Sequence, residues 1–80
     1  MNLEIITPDK KIFSGEARLV RLPGTNGEFE ILKNHAPIIS TLVKGTVKVI
    51  EEDGKEQFFD IDGGVVENKA NKVIVLVESV

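Results

Sequence analysis

Apolar residues along this chain recur at intervals of two more clearly than at helical spacing, and valine, isoleucine and phenylalanine dominate them. Such residues pack well on a pleated surface, so the pattern predicts a nearly all-β chain. Residues 3–7 read as a first strand, closed by Pro8-Asp9-Lys10, and residues 12–22 as a long second one with a bulge at Ser14-Gly15. A turn at 23–27 leads to a short strand at 29–31, a corner at Lys33-Asn34-His35-Ala36-Pro37, and a strand at 38–42. Strands at 46–52 and 55–61 flank Asp53-Gly54, a pair suited to the positive φ angles of a type I′ turn. Gly63-Gly64 precedes a strand at 65–67, residues 68–71 act as a link, and 72–78 is the closing strand. Turns spaced about eight to ten residues apart suit a sandwich or barrel.

Two runs break the alternation. Val73 to Val77 is apolar at every position, which predicts a strand buried on both faces. The second, Phe29, Ile31, Leu32, Ile38, Ile39, Leu42 and Val43, is dense for a corner region. Ordinary core is the simplest reading of each residue, while the cluster as a whole is expected to leave some apolar surface for a partner.

With 80 residues, 41% hydrophobic and 29% charged, the chain reads as a single domain over 1–80. A chain of this size buries only about 60 to 65% of its extended surface, so partner contacts are expected to add to its stability. There is no cysteine, which removes disulfides and thiolate metal sites and suits a reducing compartment. The start lacks a signal-peptide pattern and the longest apolar run is too short to cross a bilayer, so any membrane association is expected to be indirect. A net charge of −3 with dispersed basic residues leaves no electrostatic footprint for nucleic acid.

Candidate chemistry is sparse. Ser14, Ser40 and Ser79 are the only serines, none sits in a Gly-x-Ser-x-Gly setting, and His35 is the one imidazole. Gly24-Thr25-Asn26-Gly27 lacks the Gly-Lys-Ser/Thr of a phosphate loop, and Lys44-Gly45-Thr46 has those residue types in the wrong order. Asp60-Ile61-Asp62-Gly63-Gly64 resembles a calcium-loop fragment, but Asn71 stands where a bidentate glutamate is required. The residues therefore describe a binding or structural domain with no catalytic, metal or cofactor site, and a free-standing ligand- or peptide-binding sandwich remains open as an alternative.

Residues 27–49, Gly-Glu-Phe-Glu-Ile-Leu-Lys-Asn-His-Ala-Pro-Ile-Ile-Ser-Thr-Leu-Val-Lys-Gly-Thr-Val-Lys-Val, resemble the epsilon subunit family of F-type ATP synthases. The family shows a Gly-Glu-x-x-Ile segment, a His-Ala-Pro corner and a glycine-led strand in this order. The early Phe13-Ser14-Gly15 and the late Gly63-Gly64 before Val65-Val66-Glu67 are further landmarks, so the resemblance covers nearly the whole chain. It implies a two-sheet β-sandwich of about ten short strands. It also implies a non-catalytic central-stalk subunit of the proton-translocating enzyme, docking gamma to the membrane c-ring in a complex with alpha and beta. Such a subunit turns with the rotor, has no cofactor of its own and lies peripherally on the cytoplasmic face of the inner membrane.

Carried over by position, Glu28 matches the acidic residue near the c-ring loops, and His35, Ala36 and Pro37 match the corner near gamma. Phe29, Ile31, Ile38 and Ile39 supply neighbouring apolar contact, and a corner hydrogen bond is an equally good reading of His35. Where family members often have glycine and Pro-Gly, this chain has Glu30 and Lys33-Asn34, and Asn34 is suited to the left-handed conformation. Many members continue into a two-helix carboxy-terminal domain that restrains hydrolysis and in some binds ATP. This chain ends at Val80, as a short form or a truncated one would.

Overall fold

A computed structural model describes residues 1–78, in which eight strands follow one another: β1 (Asn2–Ile6), β2 (Lys11–Gly24), β3 (Gly27–Leu32), β4 (Ile38–Leu42), β5 (Gly45–Glu51), β6 (Glu56–Ile61), β7 (Gly64–Lys69) and β8 (Lys72–Val77). The described residues contain no helix, and Ser79 lies outside them. The chain is all-β, as the alternation predicts, and forms the sandwich that the resemblance implies, with eight strands and not about ten. One reason is the length of β2. Its 14 residues serve both layers, so a single element does the work of two.

The first half of β2 pairs with β1, and β1 in turn runs parallel to β8, which continues antiparallel through β7 to β4. The second half of β2 pairs with β3 on one edge and β5 on the other, and β5 carries β6. All pairings are antiparallel except β1 with β8, which sets the first and last strands side by side.

Between the layers lies a core of aliphatic side chains. Leu3, Ile5, Val73 and Val75 meet Val20, Leu22, Ile31, Val47 and Val49, and each is fully buried. Burial of a side chain of this size stabilises by about 1.5–3 kcal/mol. Phe13 and Phe59 close the side of the core edge-to-face, with ring centres 6.0 Å apart.

Three local expectations change. Ser14 and Gly15 keep regular register with Glu4 and Leu3; the irregularities of β2 fall at Ile12, which is skipped between the pairs Ile5–Phe13 and Ile6–Lys11, and between Ala17 and Leu19, where the strand gives up β1 and takes β5 as its neighbour. At Asp53-Gly54 only the glycine has positive φ, at 91°. The amide of Gly54 donates to Glu51 O, so the connection is a three-residue loop ending in glycine and not a type I′ turn. The type I′ pair is Ala70-Asn71, with φ of 52° and 62° between the paired Lys69 and Lys72, where the sequence suggested only a link. Finally, β8 is buried on one face alone: Val73, Val75 and Val77 point inward, whereas Leu76 is 53% exposed. Hydrogen-bonded neighbours flank it within the sheet, but among the described residues none covers Leu76 on its outer face.

Two polar groups are built into the interior. The α-ammonium of Met1 donates to Ala17 O at 3.0 Å and lies 3.6 Å from Glu16 and 3.8 Å from Glu52, while the Ala17 amide donates back to Met1 O. Asn68 on β7 is 2% exposed and its amide donates to the carbonyls of His35 and Ala36 at 3.3 and 3.2 Å. Hydrogen bonds from a charged donor contribute about 1.5–3 kcal/mol, so acetylating Met1 is expected to lower the unfolding free energy by about 1–3 kcal/mol in urea titration. Asn68→Ala is expected to cost about 1–3 kcal/mol, since two carbonyls lose their donor. An unaltered urea midpoint in either variant would show that the group in question is bystander and not brace.

Candidate functional site

The surface that the family resemblance singles out is built on β3, the corner after it, and β4. Glu28 enters β3 opposite Pro23, next to the exposed Thr25-Asn26 turn. Its carboxylate is solvent-exposed and sits 3.5 Å from the Arg21 guanidinium, which is also about half exposed. A pair of this kind is worth at most about 1 kcal/mol, so it holds Glu28 loosely and leaves it available to another donor. Phe29 is half-buried and packs against the core, its ring filling the space beside Gly24 where an added Cβ would lie 2.7 Å from it.

Ile31 is different. It is 0% exposed and belongs to the central core, so the alternation of β3 turns it away from any surface that this chain presents. The residue after it, Leu32, is 49% exposed and takes the outward place.

The corner is held by asparagines. Leu32 O accepts from the His35 amide at 3.1 Å, closing a tight turn through Asn34, whose φ is 65°. That left-handed conformation is the one asparagine was suited to supply at this position. Asn34 and Asn71 bond reciprocally: Asn71 Oδ1 accepts from the Asn34 amide at 2.6 Å, and Asn71 Nδ2 donates to Asn34 Oδ1 at 2.8 Å. With Asn68 gripping the His35 and Ala36 carbonyls from beneath, the turn is fixed at both ends. These two asparagines carry no signal of their own in the sequence, because their partners lie more than thirty positions away.

His35, Ala36 and Pro37 stand exposed on this braced corner. The imidazole Nδ1 lies 2.7 Å from Ala36 O, a local contact that orients the ring and leaves its far edge facing solvent. Beyond the corner Ile38 is half-buried against the core, whereas Ile39 is 73% exposed, the most exposed large apolar residue among those described. Leu42 is buried and Val43 is 43% exposed, so the apolar cluster around the corner divides between core and surface.

Ile39 does not stand alone. On the outer face of β4, β7 and β8, Ile39 faces Glu67, Glu67 faces Ile74, and in the next row Val65 faces Leu76, which itself faces Ile6 on β1. Val65 is 37% exposed, and a shallow groove beside it is lined by Ile6, Thr7, Pro8, Gly64, Val65 and Leu76. Gly64 is required there: a Cβ on it would collide with the Leu76 carbonyl oxygen. The continuous apolar run of β8 concealed this face in the sequence, since exposed and buried positions in it are chemically alike.

Chemical groups do not converge. Among the described residues no three of His, Cys, Asp or Glu are grouped to hold a metal ion. Ser40 Oγ donates to Thr41 O, and Asp60 accepts from the Thr46 hydroxyl at 2.8 Å. What the geometry offers is a rigid corner, an adjoining apolar face and a separate acidic tip.

The sequence matches the family model of the ATP synthase delta/epsilon chain β-sandwich domain over residues 1–80. The ATP synthase epsilon chain of Chlorobaculum tepidum is 46% identical over 78 residues, covering 98% of this chain and 89% of that protein. The epsilon chain of Campylobacter fetus is also 46% identical over 78 residues, but there this chain spans only 60% of the relative. Among solved structures, the fold is similar to a chain of the Euglena gracilis mitochondrial ATP synthase, with a TM-score of 0.84, 24% identity, and coverage of 98% of this chain and 51% of the other. A chain of the Tetrahymena thermophila mitochondrial ATP synthase central stalk and c-ring matches with a TM-score of 0.80, 20% identity, and coverage of 99% and 63%. Sequence, register and sandwich thus agree over the whole described length, and the chain belongs to the ATP synthase delta/epsilon chain family, of which it carries the β-sandwich domain.

Proposed function

We propose that this chain is a non-catalytic rotor subunit of an F-type ATP synthase, placed between the gamma subunit of the central stalk and the membrane ring of c subunits. The observation that carries the reading is the separation of two exposed elements along one strand. Glu28 lies at the start of β3, whereas the His35–Pro37 corner follows its end. At about 3.3 Å per residue, roughly 13 Å of strand separates Glu28 from the turn at Leu32. The two elements therefore address different neighbours, as a subunit joining two bodies requires.

The chemistry of each end suits its neighbour. Glu28 offers a carboxylate to arginine or asparagine donors on the polar loops of the ring. The corner, with Ile39 and the half-buried Ile38, offers rigid apolar contact to gamma; a fixed loop loses little entropy when it docks. Phosphoryl transfer belongs to the alpha and beta subunits, and this chain transmits torque through its packed sheets. In that position it lies on the cytoplasmic face of the inner membrane, attached through the ring; among the described residues no helix is long and apolar enough to cross a membrane.

Affinity capture of the tagged chain from membranes of its source is expected to bring down gamma and c together with alpha and beta. Capture without gamma would instead favour a free-standing ligand-binding sandwich. Glu28→Lys is expected to reduce recovery of the ring by about three- to tenfold, with the deficit shrinking in high salt, because it reverses an exposed charge. Ile39→Asp is expected to reduce recovery of gamma about tenfold or more, equivalent to about 1.4 kcal/mol, without changing the urea midpoint. If both variants retain gamma and the ring as fully as the parent chain, the interface lies elsewhere.

A further inference from the structure

The β2–β3 hairpin ends in Thr25 and Asn26, the two residues between the paired Gly24 and Gly27. Thr25 is tied to β4: its amide and hydroxyl each lie 3.2 Å from Thr41 O, and the hydroxyl is 2.7 Å from the Thr41 hydroxyl. Asn26 is exposed, and its carboxamide makes no hydrogen bond with any described residue. The other four asparagines are held. Asn2 donates to Glu16, Asn34 and Asn71 hold one another, and Asn68 is buried beneath the corner.

Asn26 is also the one asparagine followed by glycine. Gly27 has φ of 120°, and no heavy atom of the described residues beyond Asn26, Gly27 and Glu28 lies within 4 Å of where its Cβ would be. Glycine carries no side chain to screen its own amide nitrogen, and this one sits at the last rung of the hairpin, where pairing is most easily lost.

We propose that Asn26 is a site of spontaneous deamidation, a chemical ageing step at the tip that carries Glu28. The Gly27 amide nitrogen attacks Asn26 Cγ, the Cγ–Nδ2 bond breaks, and ammonia departs with the amide proton, leaving a succinimide ring. Water then opens one of the two ring C–N bonds, giving either an aspartate or an isoaspartate linkage. No oxidant, reductant or enzyme is needed. Both products place a new carboxylate two residues from Glu28, and the isoaspartate product also lengthens the main chain of a two-residue turn by one methylene.

The test is prolonged incubation of the folded chain in mildly alkaline buffer, followed by trypsin digestion and mass spectrometry. The peptide spanning 22–33 contains Asn26 as its single side-chain amide. The mass shift of amide-to-acid exchange is expected to accumulate there about tenfold faster than in the peptides carrying Asn2, Asn34 and Asn68, because only glycine leaves the attacking nitrogen unhindered. Isoaspartyl methyltransferase labelling is expected to map to the same peptide. A parallel incubation in urea measures the unrestrained rate. Conversion in the folded chain that is no faster at Asn26 than at the held asparagines, while the unfolded chain converts readily at Asn26, would show that the turn protects this residue and would overturn the proposal.

Discussion

The structure depends on one strand that belongs to both of its layers. β2 is hydrogen-bonded along its length to β1, β3 and β5 and touches β4 at its end, so four of the other seven strands are positioned against a single 14-residue segment. The change of partner near Ala17 and Leu19 lets the same backbone enter one sheet and leave in the other. Met1 is anchored at this place, with its ammonium on the Ala17 carbonyl and between Glu16 and Glu52. The interior then follows from alternation: each strand turns one set of side chains into a shared aliphatic core, and no strand has enough apolar area to be stable outside it.

This economy has a consequence for recognition. A sandwich whose strands are buried on one face leaves the other face free, and on β4, β7 and β8 that face is partly apolar, with Ile39, Val65 and Leu76 open to solvent. The adjoining corner is polar in its support and apolar in its display. Asn34, Asn68 and Asn71 satisfy the backbone beneath and beside it, which frees His35, Ala36, Pro37 and Ile39 from any structural duty that would pull them inward. Such support leaves the exposed side chains on a rigid base.

Among the described residues nothing comparable assembles reactive groups. The hydroxyls of Thr7, Thr25, Ser40 and Thr46 bond to nearby backbone or strand neighbours, the imidazole lies against the carbonyl of the following residue, and the acidic side chains are spread over turns and strand faces. The two most different exposed parts of the described surface, the acidic Glu28 and the apolar Ile39, lie on different strands, β3 and β4.

Much of this was legible in the order of residues. Alternation together with the turn residues between the apolar runs located the strands, although the closing run Val73 to Val77 does not itself alternate, and the Gly-Glu-x-x-Ile and His-Ala-Pro segments announced the family. Asn34 was recognisable as a residue able to take a left-handed turn. Other features required the tertiary structure. Ile31 and Ile39 are the same amino acid in the same apolar cluster, yet one is sealed in the core and the other is 73% exposed, a difference set by which face of the strand meets the second layer. Leu76 belongs to an unbroken apolar run, and only the position of β8 in its sheet shows that half of that run faces outward. The turn at Ala70-Asn71 is a type I′ pair because the strands on either side close in register, not because its residues demand it. Local periodicity determines how a strand divides its side chains between two faces; the choice of which face is covered depends on chain segments distant in sequence, and that information exists only once they have packed together.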